Sequence, residues 1–116
     1  MIKPKDRSAF NQCVYEICRS IPSGYVMTYG GIAACIEHPI NMDPLSYDRI
    51  KARWVGYALK ECPEDVPWHR VINARGQISA RPGHDFQRRL LEDEGITFGK
   101  SAGINLKRYN WKPQER

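Results

Sequence analysis

The chain has 116 residues, room for one domain with a modest core and too few for two with separate hydrophobic centres. A hydrophobic share of 41% and a charged share of 27% exclude the apolar depletion of a disordered chain, and no apolar run is long enough to span a membrane. The 18 Lys and Arg against 13 Asp and Glu leave a net charge of +5, which favours polyanionic partners and puts nucleic acid first among them. The opening Met1-Ile2-Lys3-Pro4-Lys5-Asp6 is charged where a signal peptide needs apolar residues, so a cytoplasmic protein is expected, nucleoid-associated if bacterial. Cys13, Cys18, Cys35 and Cys62 form no CxxC pair and no histidine stands with them, so free thiols and no metal or cofactor are expected.

In chain order, Phe10, Val14, Ile17 and Ile21 recur at helical spacing and predict an amphipathic helix from about Ser8 to Ser20, ended by Pro22-Ser23-Gly24. Tyr25-Val26-Met27 is a short extended run, after which Thr28 can cap a second helix through Ile32, Ala33 and Ile36. The two prolines of His38-Pro39-Ile40-Asn41-Met42-Asp43-Pro44 mark a loop, and Ser46 is the expected cap of a third helix carrying Ile50, Trp54, Val55, Ala58 and Leu59 until Pro63. Asn73-Ala74-Arg75-Gly76 between Val71-Ile72 and Gln77-Ile78-Ser79 predicts a small β-hairpin. Phe86, Leu90 and Leu91 give the apolar side of a last helix closed by Glu94-Gly95, and the tail holds Ile104, Leu106, Tyr109 and Trp111.

On the third helix Arg49, Arg53, Gly56 and Lys60 share one face. Glycine in such a stripe lets the backbone come close to another surface while the flanking cations meet phosphates. Spacing alone does not separate that use from an ordinary solvated face.

Four blocks, read in order, are more specific: Ile21-Pro22-x-Gly24-x-Val26-x-Thr28-Tyr29-Gly30-x-Ile32-Ala33, Arg53-x-Val55-Gly56-x-Ala58, Pro67-x-His69-Arg70-Val71-Ile72, and Leu90-Leu91-x-x-Glu94-Gly95. Together they resemble the C-terminal domain of the O6-alkylguanine DNA alkyltransferases. The resemblance implies a mostly α, helix-turn-helix, winged-helix-like fold with a small β-hairpin, filling residues 1–116 as a single domain with a core over about 8–112. In that family a cysteine of Pro-Cys-His-Arg-Val takes the alkyl group from guanine; here the motif reads Pro67-Trp68-His69-Arg70-Val71. An indole has no ionisable thiol, so the transfer is not expected and the chain is not expected to be an enzyme. Tryptophan at this position is the pattern of the alkyltransferase-like proteins, to whose end Tyr109-x-Trp111-Lys112-Pro113 is also similar.

The resemblance implies residue roles as well. The helix carrying Arg53 would lie in the minor groove, with Arg53 filling the space left by a flipped nucleotide and Tyr29 pressing on the phosphate beside it, core packing being the competing role for Tyr29. Ala52 and Gly56 would allow close approach, Lys60 would meet phosphate, and Trp54 would be either a wedge or core. Trp68, Val71, Ile78, Ser79 and Arg81 would form the lesion pocket, Arg81 either stacking on the flipped base or contacting phosphate, and His69 with Glu94 would remain as a structural network. The implied partners are double-stranded DNA containing O6-alkylguanine and nucleotide excision repair proteins, met by a monomer with no membrane role. The competing readings are an alkyltransferase that uses another cysteine, Cys62, and a general helix-turn-helix regulator reading undamaged sequence.

Overall fold

The computed structural model describes residues 4–39, 42–79, 82–100 and 103–113. Asp6 opens the first helix, α1 (Arg7–Ser20), its carboxylate accepting the Ala9 amide at 2.8 Å. Such a bond satisfies one of the amides that a helix start leaves without a partner. Thr28 does the same for α2 (Tyr29–Ala34), taking the Gly31 amide at 2.9 Å, as the sequence predicts. This helix is shorter than expected, stopping before Ile36, which is buried beyond its end.

The third helix, α3 (Pro44–Lys60), starts before Ser46. Asp43 is its cap, accepting the Ser46 amide at 3.0 Å, and Pro44 stands in the first turn, where its missing N–H leaves no bond unmade. The proline read as loop is therefore the first helical residue.

Helices α1, α2 and α3 enclose the larger core, in which Phe10 meets the rings of Tyr47 and Trp54 edge-on at 6.1 and 5.4 Å. Such pairs add about 0.5–1.5 kcal/mol beyond the area they bury. Buried hydroxyls are satisfied by backbone: Tyr15 donates to the Ala58 carbonyl at 2.8 Å and Tyr47 to that of Ile36 at 3.0 Å. The contact between α2 and α3 is the helix-turn-helix unit, and it fixes the outward face of α3.

The expected hairpin is replaced by a different pairing. β1 (Met27–Thr28) and β2 (Val71–Ile72) run parallel, Met27 beside Val71 and Thr28 beside Ile72. The turn at 73–76 does form, with the Asn73 amide donating to the Gln77 carbonyl at 3.1 Å, yet Gln77 then bridges to Gly103. β2 is thus joined to a segment more than forty residues away, a choice that local turn chemistry cannot reveal.

A second core lies under this sheet, built from Val26, Ile72, Leu91, Ile96, Ile104 and Tyr109. The tail closes it through the single turn α5 (Leu106–Tyr109): the Val26 amide donates to the Tyr109 carbonyl at 2.9 Å and the Trp111 amide to the Val26 carbonyl at 2.8 Å. Tyr109 is buried and Trp111 packs against the larger core, so the tail aromatics do clamp the domain.

Gly76 is where turn and tail meet. Its φ is +75° and an added Cβ would lie 2.8 Å from the Ile104 carbonyl oxygen. Gly76→Ala should lower stability by about 1–3 kcal/mol. A melting temperature equal to wild type would show that the tail yields.

Helix α4 (His84–Asp93) departs from its predicted face. Phe86 is 55% exposed, whereas Gln87 and Leu91 are buried. The buried side chain amide of Gln87 donates to the carbonyls of His69 at 3.1 Å and Val71 at 3.0 Å, which explains a polar residue on the inner face.

Candidate nucleic-acid interface

Because α3 packs Val55 and Ala58 inward, its opposite side turns to solvent. There Ala52, Arg53, Gly56, Tyr57 and Lys60 join Tyr29 of α2 to line an open groove of about 330 Å3. The structure thus brings together five of the six residues expected to serve this surface. Arg49, also on the basic stripe, is exposed but not among those lining the groove.

Trp54 is the exception. It is partly buried against the larger core, 5.4 Å from the Phe10 ring, and the Arg7 guanidinium covers it at 4.2 Å. One residue along a helix turns the side chain by about 100°, so Arg53 facing out sends Trp54 inward. Of the two roles open to it, the structure selects core.

Glycine positions at this surface carry a further signal. Among the described residues, a Cβ at Gly56 or at Gly30 would meet no atom within 4 Å beyond its chain neighbours and its own helix backbone. Neither packing nor backbone conformation within the chain requires glycine there, as expected where an external body comes close to the helix backbone.

Tyr57 was not anticipated. It is 45% exposed, stands four residues after Arg53, and has the Lys60 ammonium 5.5 Å and the Arg7 guanidinium 5.8 Å from its ring. The signal available in sequence was its place on the Arg53 face, hidden because an aromatic residue at helical spacing is usually core.

The Pro67-Trp68-His69-Arg70 motif forms a 3-10 turn, Trp68–Arg70, leading directly into β2. His69 Nε2 lies 2.8 Å from Glu94 Oε2, as expected of the pair. Arg70 adds a fork that sequence reasoning missed: Nε donates to Glu94 Oε1 at 3.0 Å, Nη2 to Glu94 Oε2 at 2.7 Å, and Nη1 to the Ile21 carbonyl at 2.8 Å. Desolvation by burial raises the Glu94 pKa, but hydrogen bonds from Arg70 and His69 outweigh it and hold the carboxyl at about 2. Glu94 is thus an anion that ties the end of α4 to the motif turn and to the end of α1.

Trp68 is partly accessible at the head of this turn, its ring edge-on to that of His69 at 6.2 Å. Ile78 and Ser79 are also partly accessible. Val71 is not: it is fully buried in the larger core and paired with Met27, so its side chain cannot be a wall of an open pocket. Arg81 lies outside the described residues.

All four cysteines are free. Burial pushes the Cys62 thiol above its ordinary pKa and the Cys18 thiol to about 12, the direction opposite to that of an activated nucleophile. Among the described residues no helix is long and apolar enough to cross a membrane.

Comparison with known proteins agrees with this geometry. Residues 9–96 match the family described as 6-O-methylguanine DNA methyltransferase, DNA binding domain. The chain belongs to that family, as one of its alkyltransferase-like members. Alkyltransferase-like protein 1 of Schizosaccharomyces pombe is 45% identical over 109 residues, covering 86% of this chain and 92% of its own length. The DNA base-flipping protein of Escherichia coli strain K12 is 39% identical over 112 residues, 94% of this chain and 79% of its own. Among solved structures, the Schizosaccharomyces pombe protein in complex with damaged DNA containing O6-carboxymethylguanine superposes with a TM-score of 0.71 at 43% identity, covering 91% of this chain and 97% of that one. The Mycobacterium tuberculosis O6-methylguanine methyltransferase matches with a TM-score of 0.57 at 34% identity, over 84% of this chain and 53% of that one.

Proposed function

We propose that this chain is a non-enzymatic sensor of O6-alkylguanine in double-stranded DNA. It docks α3 in the minor groove, flips the altered nucleotide, and flags the site for nucleotide excision repair. The observation that carries the reading is Trp68 standing at the acceptor position of the motif while the His69–Arg70–Glu94 network beside it and the basic groove along α3 are both formed. The recognition apparatus is kept and the nucleophile is not. The base-flipping relative and the damaged-DNA complex, at 39% and 43% identity, support the same use here.

In this reading Arg53 fills the vacated stack, Tyr29 bears on the neighbouring phosphate, and Lys60 adds a salt-sensitive contact without sequence preference. Trp68 and Arg81 meet the extruded base, with Ile78 and Ser79 beside them, and Val71 supports the turn from within. A single copy of the chain suffices for every role.

The test is binding to matched duplexes with guanine or O6-methylguanine at stated salt, with intact-protein mass recorded on the same mixtures. Preference for the lesion with unchanged mass is expected. Added alkyl mass would restore an enzyme acting through Cys62, and equal affinity with preference for a defined undamaged sequence would indicate a regulator. Trp68→Ala should reduce the ratio of damaged to undamaged binding more than it reduces general DNA affinity. Equal losses on both duplexes would remove Trp68 from the pocket.

A further inference from the structure

Beside the α3 groove lies a second one, of about 430 Å3, lined by Thr28, Leu106, Lys107, Asn110 and Lys112. It owes its existence to the tail. Asn110 bridges in parallel to Val26, so two residues further along both strands Lys112 stands abreast of Thr28. Thr28 immediately precedes Tyr29, which lines the first groove. The two grooves are therefore joined through consecutive residues at the entrance of α2.

The chemistry of the lining is specific in kind. Lys107 and Lys112 are exposed, and among the described residues neither forms an ion pair. The Thr28 oxygen already accepts from the Gly31 amide, leaving its hydroxyl hydrogen to donate outward. Leu106 offers one apolar contact, and among the described residues the lining holds no aromatic ring on which a base could stack. Cations, a hydroxyl donor and one apolar patch suit a sugar–phosphate strand rather than an extruded base.

We propose that this tail groove holds backbone phosphates of the DNA strand that runs past Tyr29, with Lys107 and Lys112 as the contacts. The inference rests on the DNA-binding reading above and extends the interface from α3 onto the chain's last turn. It gives the tail clamp a second purpose: pairing Asn110 with Val26 sets Lys112 abreast of Thr28, the residue before Tyr29, with Lys107 lining the same groove.

The experiment compares wild type, Lys107→Gln with Lys112→Gln, and the Arg pair at the same positions, on guanine and O6-methylguanine duplexes across a salt series. Each phosphate contact contributes about 0.9 to the slope of log K against log salt, so the Gln pair should lower the slope by about 1.8 on both duplexes while the Arg pair restores it. An unchanged slope in a Gln pair that melts like wild type overturns the proposal and assigns the groove to another occupant, such as an acidic protein segment. Should the Gln pair fail to fold, amide shifts in the wild type decide: perturbation at Lys107, Asn110 and Lys112 on adding duplex supports the track, and perturbation confined to α3 overturns it. Loss of lesion preference in the wild type would defeat the sensor reading, whereas the slope reports on the tail groove alone.

Discussion

Replacing Arg53 with alanine should weaken binding to a lesion duplex by about 1–3 kcal/mol, roughly 5- to 150-fold, if its guanidinium stacks in the space of the flipped nucleotide. Extruding a base costs about a few kcal/mol, and the protein must offset that cost with a group that reaches the stack. Arg53 is exposed on the outer face of α3, lines the groove, and lies one helical turn from Gly56, where the backbone is bare. A charge-only role predicts something different: a loss about equal to that of Lys60→Ala, seen through a lower salt slope and erased at high salt. Titrations of Arg53→Ala, Arg53→Lys and Lys60→Ala at two salt concentrations separate the cases. If Arg53→Lys restores full affinity, stacking by the planar guanidinium is not its role.

The second large effect is on stability. Glu94→Gln should cost about 2–3 kcal/mol, below the roughly 3–5 kcal/mol of a fully buried pair because both partners keep some access to water. The guanidinium of Arg70 would lose its anion while only 18% of its side chain is exposed, and His69 would lose the oxygen 2.8 Å away. A drop in melting temperature on the order of 10 °C or more is expected. The sign of the pH dependence follows from the direction of the shift. The folded carboxyl lies at about 2 against an ordinary 4.5, so its contribution is complete above about 4.5 and is lost as pH falls through the folded value. Wild type should therefore lose stability between these limits, and Glu94→Gln should show a flatter acid limb. Parallel limbs in chemical denaturation from pH 5 to pH 2 would mean that the network is not what acid dissolves.

Much of this was legible along the chain because the physics is local. Caps, helical faces and turn residues act within a few positions, so α1, the Thr28 cap and the Arg53–Gly56–Lys60 face emerge from spacing. The errors have a common cause in distant partners. Ser46 yielded to Asp43 by only three residues, but β2 could not be matched to Met27 and Thr28 from sequence, since nothing near residue 71 encodes a strand at 27. Phe86 and Gln87 were exchanged between inside and outside because the inner position needed an amide for two carbonyls of the motif turn. Arg70 was visible in the motif, yet its clamp on Glu94 and the Ile21 carbonyl exists only once three separate segments converge.

The sequence by itself determined that position 68 is tryptophan, which removes thiolate chemistry from the motif because nucleophilicity belongs to the side chain and no packing can confer it. It also determined which cations share the outer face of α3, because helical geometry is fixed over so short a range. Only the tertiary structure decided that Trp54 is core, that Val71 is sealed from the surface, and that Lys112 stands beside Thr28. Each of those depends on the register of segments far apart in the chain, settled when the burial of two cores and the pairing of the tail were satisfied together.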